Sequence, residues 1–311
     1  GTSHAINITG RNPSDLVYVQ AFSVAGADSG FSGLKPFITQ SVSSGSMKVY
    51  FTRPVDTTVA TGPKAIVLNR LVDDTCIAYI NRAKQTIDIA IYNFNNEGLS
   101  SIASALNAAH GRGVRVRIVT DGGTNNSAIP NLVAGIGKIG RPVTSGIMHN
   151  KFMIIDGQSA NANDPVVWTG SCNWTDQNVN TDANNVLFIQ DASLAKVYTL
   201  EFNEMFGSET VTPNASNAKF GGAKSDNTPH ELVIGGKRVD LGAIKAPIFH
   251  AVAEHDHIIP YDAAKPLIAK VGSTDRTEVM LKGGHVSLVA GANAVRRLWP
   301  KLDEWLGARS T

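Results

Sequence analysis

The sequence predicts an α/β sandwich around a mixed sheet, with a short β-rich lead-in and a second, partial α/β segment behind it. Three observations predict this. Short apolar runs of strand character alternate with amphipathic helical stretches from about residue 47 to 207. Residues 1–46 show strand and turn signals alone. After residues 208–229, which are rich in Ser, Asn, Thr, Gly, Lys and Asp and read as a linker, a fresh strand and helix series fills residues 230–311.

Residues 15–22 (Asp-Leu-Val-Tyr-Val-Gln-Ala-Phe) read as a strand between Asn-Pro and Gly-rich turns. One or two strands cannot bury a core alone. Residues 47–51 give the first strand of the next segment. Apolar residues at 72, 76, 79, 80 and 83 make one helix face. Ile87, Ile89 and Ile91 alternate as a strand, and 99–110 form a helix closed by Gly111. Val114, Val116 and Ile118 form the next strand, with Arg115 and Arg117 on its other face as solvent-facing charges. Strands at 152–155, 166–168 and 186–189 and a helix over 194–206 complete the segment. Beyond 230, strands are expected at 246–254 and 277–281, with helices at 263–271 and 294–306.

Length and composition set bounds. The 311 residues suit one large or two medium domains, and Lys+Arg 28 against Asp+Glu 26 leaves no global basic field to argue for nucleic acid. No apolar stretch approaches the roughly 20 residues that span a bilayer. Nothing reads as a signal peptide, and the chain begins Gly-Thr-Ser-His, which suits a removed leader or a trimmed start. Two cysteines without local spacing, Cys76 and Cys172, define neither a disulfide framework nor a zinc site.

The chemistry concentrates in His149-Asn150-Lys151-Phe152-Met153-Ile154-Ile155-Asp156, an H-x-K-x-x-x-x-D run, with Gly170-Ser171-Cys172-Asn173 one strand later. His149 and Lys151 are two apart and share a face of a strand, while the apolar run between Lys151 and Asp156 anchors them. An imidazole nucleophile beside a fixed ammonium suits attack on a phosphodiester, with a carboxylate expected within reach to orient the ring.

This segment resembles the signature of the phospholipase D superfamily, and the resemblance covers about residues 47–207. It implies a metal-independent phosphodiesterase that works through a phosphohistidine, on phospholipid or nucleic acid, and it implies no cofactor. His149, Lys151 and Asp156 would be catalytic, with Asp156 in an orienting or structural role. Ser171 and Asn173 would complete the phosphate cradle. The chemistry uses two imidazoles and the chain carries one motif, so a homodimer is expected, with the motifs meeting across a twofold axis. A carboxylate that pairs with the His often follows Gly-Ser-x-Asn by about ten residues. Here Asn184 takes that place, and Asp182 is the nearby candidate. The other reading is a degenerate module that binds phosphodiesters without cleaving them. Residues 1–46 weakly resemble the tail of a fibronectin-like sandwich found ahead of secreted bacterial domains of this kind, which points to a secreted or periplasmic setting.

Gly235-Gly236-Lys237-Arg238-Val239-Asp240-Leu241, Ala253-Glu254-His255-Asp256-His257 and Gly284-His285 resemble the C-terminal part of polyhydroxyalkanoate synthases, which have an α/β-hydrolase fold. That resemblance makes Asp256 and His285 the acid and base of a triad, and it adds a synthase-like or α/β-hydrolase acyl-transfer protein as an alternative to the phosphodiesterase. No G-x-C-x-G or G-x-S-x-G elbow precedes them, so residues 230–311 read as a hydrolase fragment with a vestigial pair and no catalytic role of its own. Two weaker signals fall to bland readings. Gly135-Ile136-Gly137-Lys138-Ile139-Gly140 lacks the strand-turn-helix context of a dinucleotide site and reads as a loop. His255, Asp256 and His257 are adjacent and alternate in direction, which disfavours a shared metal.

Overall fold

The structure, a computed structural model, describes all residues except 1–5, 59–63, 70, 96–99, 144–145, 221–232, 235–236, 239, 257–258, 289–290 and 311. Two compact units emerge, residues 1–238 and 239–311.

The first unit starts with four short strands, β1 (Leu16–Val19), β2 (Phe22–Ala25), β3 (Asp28–Phe31) and β4 (Lys35–Ile38). β1 pairs with β4, and β2 and β3 form an exposed hairpin. The elements that follow are β5 (Met47–Phe51), β6 (Ile66–Val67), α1 (Val72–Arg82), β7 (Thr86–Ile91), α2 (Ser100–Gly111), β8 (Arg115–Asp121), β9 (Gly137–Arg141), β10 (Lys151–Ile155), β11 (Val166–Gly170), α3 (Asp176–Asn180), β12 (Asn185–Gln190) and α4 (Ala192–Phe206). Leu99, expected to open α2, lies outside the described residues. A two-residue pair, β13 (Val233–Ile234) and β14 (Lys237–Arg238), ends the unit.

Eight of these strands form one sheet in the order β6-β5-β12-β11-β10-β7-β8-β9. It is mixed. The central β5-β12-β11-β10-β7 ladder is antiparallel, and β6, β8 and β9 add in parallel at its flanks. Period-2 alternation explains why the apolar run of β10 is buried throughout. Met153 and Ile155 face a core shared with Cys76, Ile80, Ile102 and Leu106 of α1 and α2. Phe152 and Ile154 face another shared with Ala195, Phe202, Met205 and Phe206 of α4. The strand carrying the motif is therefore central and covered on both faces. α4 begins on Asp191, whose carboxylate caps the Leu194 N–H at 2.7 Å, and ends at Gly207 with φ 73°.

Three expectations need correction. The Gly-rich run at 135–140 is not a loop, since residues 137–141 form β9, parallel to β8. Gly137 permits close packing there, because a Cβ on it would lie 2.0 Å from the Val211 carbonyl oxygen. Arg115 and Arg117 are not simply solvent-facing. Arg117 is 1% exposed, forks onto Asp88 at 2.7 and 2.8 Å, and stacks on Phe202 and Phe206. Both arginines donate to carbonyls of residues 208–210. Those bonds also revise the linker. Residues 208–220 return onto the first unit, with Asn214 N–H donating to Phe206 and Lys219 N–H to Glu204. Residues 221–229 lie outside the described residues.

The second unit pairs β15 (Ile248–Ala253) with β16 (Arg276–Leu281) in parallel. Where one helix is expected over 263–271, there are two, α5 (Tyr261–Ala264) and α6 (Pro266–Lys270). Pro266 has no N–H to continue the first. α7 (Gly291–Asn293), a π-helical turn (Ala294–Leu298) and α8 (Trp299–Gly307) close the chain. Among the described residues no helix is long and apolar enough to cross a membrane.

Candidate active site

Antiparallel pairing puts the start of β10 beside the end of β7, with Lys151 opposite Ile91. One further rung, Tyr92 N–H to the Asn150 carbonyl at 2.9 Å, extends the ladder to the residue after His149. The loop ahead of His149 is tied from β8, where the buried Asp121 carboxylate accepts the Met148 N–H at 2.7 Å. His149 is thus an exposed side chain on a backbone held on both sides.

Lys151 is only 8% exposed. Its ammonium donates to the His149 carbonyl at 3.1 Å and lies over the Tyr92 ring, 5.4 Å from its centroid. The same ring meets the His149 imidazole edge to face at 4.9 Å. Among the described residues no carboxylate pairs with Lys151 in an ion pair. Burial pushes its pKa down from 10.5 to about 8, against a smaller opposing effect of Cys172. His149 and Lys151 thus meet at one aromatic ring, that of Tyr92, which the motif does not name.

Gly170 enables the approach of the next loop. Its φ is 148°, and a Cβ there would lie 2.3 Å from the Asn185 carbonyl oxygen. Asn173 reaches β7's end, where its Oδ1 accepts from Asn93 N–H at 3.3 Å. Asn93 Oδ1 is buried and has no hydrogen-bond partner among the described residues. Ser171 is placed differently from expectation. Its hydroxyl donates to Asn184 Oδ1 at 2.8 Å and accepts from Asn185 N–H, so it closes its own loop. Cys172 is buried, and burial first and Asp182 second push its pKa up to about 12, which keeps it a thiol at neutral pH.

Two acidic residues are not where the expected ring-orienting role needs them. Asp182 accepts from Asn178 Nδ2 at 2.9 Å and Gln177 Nε2 at 3.3 Å, within α3 and its C-terminal turn. Asp156 sits at the other end of β10, about 16 Å along the strand from Lys151 at roughly 3.3 Å per residue. Its buried carboxylate accepts the N–H groups of Lys84, Gln85 and Thr86 at 2.7 to 3.1 Å. Its own N–H donates to Thr86, and its φ is 51°. Asp156 therefore ties the sheet to the turn between α1 and β7 and does not touch the imidazole. Among the described residues, no group of three or more His, Cys, Asp or Glu side chains is placed to share an ion.

In the second unit the Asp256–His285 pair does form. His285 Nδ1 lies 2.8 Å from Asp256 Oδ2, and Ile259 N–H donates to Asp256 Oδ1. A cavity of about 350 Å³ beside them is lined by apolar residues such as Val252, Ala264 and Leu267, and no Ser or Cys lines it among the described residues. His257, Gly235 and Gly236 lie outside the described residues.

Residues 76–206 match the protein family described as "Cardiolipin synthase, PLD-like domain". A mitochondrial cardiolipin hydrolase of Xenopus tropicalis is 34% identical over 128 residues, covering 40% of this chain and 56% of that protein. The poly(3-hydroxyalkanoate) polymerase subunit PhaC of Haloarcula marismortui is 37% identical over 82 residues, 26% of this chain and 17% of that subunit. The chain thus spans about half of the first relative's length and under a fifth of the second's. Among solved structures, the phospholipase D family member Nuc from Salmonella typhimurium aligns with 24% identity and a TM-score of 0.38, covering 51% of this chain and 92% of that one.

Proposed function

We propose that the phospholipase D-like domain at residues 76–206 is a metal-independent phosphodiesterase that acts through a phosphohistidine, on phospholipid or nucleic acid. One observation carries this reading. Lys151 is a buried ammonium with no acidic partner among the described residues, beside an exposed imidazole. A buried cation is costly unless an anion completes it. A phosphodiester oxygen is such an anion, and it would meet Lys151 with its phosphorus near His149.

In the first step the His149 nitrogen forms a bond to phosphorus while the bond to the leaving oxygen breaks. The leaving oxygen takes a proton from the second imidazole, which is His149 of another copy in a homodimer. That imidazole then removes a proton from water, the water oxygen bonds to phosphorus, and the phosphorus–nitrogen bond breaks. In this reading Lys151 and Asn173 hold the phosphate. His149→Ala should abolish turnover of an aryl phosphodiester in folded protein, and EDTA should leave the wild type active. Undiminished turnover by the variant would refute the assignment. A panel of lipid and DNA substrates follows. For residues 230–311 we propose no catalysis of their own. The Asp256–His285 contact supports an acid–base pair, but an acyl intermediate needs a nucleophile.

A further inference from the structure

Tyr92 stands between the two groups on which the proposed reaction depends. It directly follows β7, the strand beside β10, and its backbone is fixed on both sides. The N–H donates to Asn150 at 2.9 Å, and the carbonyl accepts the Thr124 hydroxyl at 3.1 Å. One side chain then makes two contacts, with the Lys151 ammonium 5.4 Å from the ring centroid and the His149 ring at 4.9 Å. The face of a phenol ring carries negative potential and its edge positive potential, so a desolvated cation near the face is attracted. Lys151 has one hydrogen-bond acceptor among the described residues, the His149 carbonyl, for three ammonium protons. The ring supplies the second attraction.

We propose that Tyr92 is a positioning residue of this site, whose ring holds the Lys151 ammonium and the His149 imidazole at the spacing that phosphoryl transfer needs. The assignment rests on the phosphodiesterase reading for its catalytic consequence, but the ring–ammonium contact is measurable without any substrate. Neither role requires the phenol oxygen. The ring itself is the working part, which separates Tyr92 from a general acid.

Among the described residues, Lys151 meets the Tyr92 ring and the His149 carbonyl, and the Cys172 thiol of the loop after β11 is the titratable group that acts on it electrostatically. Cys172 remains uncharged through the neutral range. The electrostatic potential of the ring is thus the variable that a ring substitution changes most directly. Fluorine atoms on an aromatic ring drain the negative potential from its face and preserve its shape, so water access to Lys151 stays constant along such a series.

The test compares wild type, Tyr92→Phe, the same substitution with one to three fluorines on the introduced ring, and Tyr92→Leu. Lys151 is titrated by carbon NMR in the full chain with labelled lysine, and an aryl phosphodiester is turned over in parallel. Tyr92→Phe should stay within about threefold of wild-type kcat, because the ring is kept. Successive fluorines should lower the Lys151 titration midpoint in steps that total about 0.5 to 1 pH unit. In Tyr92→Leu, kcat should fall about 10- to 100-fold with KM within about threefold, the sign of misplaced groups rather than lost binding. A fluorine series that leaves both the midpoint and kcat unmoved overturns the proposal. So does a Tyr92→Leu protein whose kcat per folded molecule is unchanged. If the wild type turns over no phosphodiester, the functional reading fails, and the titration still decides whether the ring holds the ammonium.

Discussion

Replacing Lys151 with Met should stabilise the protein while destroying the proposed activity. Met keeps much of the volume of the lysine stem and removes the buried charge. The magnitude follows from the effect of burial on the ammonium. Burial moves the ammonium from its ordinary 10.5 to about 8, and at about 1.4 kcal/mol per pH unit this corresponds to roughly 3 kcal/mol of cost to the charged folded state. Partial water access through the cleft and imperfect filling by Met reduce the expected gain to about 2 kcal/mol. The sign is set by linkage. Between pH 8 and 10.5 the unfolded chain holds a proton that the folded chain has lost, so wild-type stability from this group rises with pH across that window. Below pH 8 the cost is present in full. Urea unfolding of both proteins, read by hydrogen exchange in β7 and β10, should therefore show Lys151→Met ahead by about 2 kcal/mol at pH 6 to 7 and nearly level at pH 10.5. Other titrating groups are common to both proteins and cancel in the difference. A gap that does not change with pH, or a variant less stable at pH 6 to 7, would refute the picture of a buried ammonium whose burial outweighs its neutral partners.

Asp156→Asn should cost about 2 kcal/mol of stability, because three backbone donors exchange a charged acceptor for a neutral amide. Asn tolerates the positive φ, so urea unfolding reports the carboxylate alone, and kcat per folded molecule should stay within a few-fold of wild type. If the active form is a homodimer with shared imidazoles, mixing wild type with excess His149→Ala chains should lower activity more than dilution does, and a fully active monomer by light scattering would contradict it. The full chain should show no hydrolysis of hydroxyacyl thioesters, and turnover that disappears in His285→Ala would assign residues 239–311 a reaction of their own.

The large features of the fold were legible because they depend on local pattern. Ile87, Ile89 and Ile91 alternate as a strand must, and the apolar run of 152–155 belongs to a strand covered on both faces. What escaped depends on long-range contact. β9 hides in a Gly-rich run, because Gly137 serves close packing against residue 211 rather than a turn. Arg117 looks like a surface charge until the fold brings it to Asp88, 29 positions earlier. At the site, the motif named His149 and Lys151 but not Tyr92 or Asp121, which come from neighbouring strands and carry no signature of their own. A partial signal existed for Tyr92. It directly follows the alternating strand of residues 86–91, and the antiparallel register that would have placed it cannot be read from one strand alone.

The spacing of the motif has a physical sense that its chemical reading obscures. A sequence reading gathers His149, Lys151 and Asp156 into one site, because three polar residues in eight suggest convergence. A strand does not converge. At about 3.3 Å per residue it carries its first and last residues to opposite ends of the sheet. His149 and Lys151 lie at one end, where loops from β7, β8 and β11 meet. Asp156 lies at the other end, saturated by backbone N–H groups of the turn that joins α1 to β7. That turn leads into β7, and Tyr92 directly follows β7, with its ring in contact with both His149 and Lys151. Asp156 thus acts on the site only through the register between β10 and β7. Fixing the far end of the pair fixes which residue of β7 lies opposite Lys151. A slip of one residue would turn the Tyr92 ring to the other face of the sheet, away from the imidazole and the ammonium. The carboxylate's contribution is then to the alignment of two strands, and the four residues between it and Lys151 must be apolar because both faces of that stretch are buried.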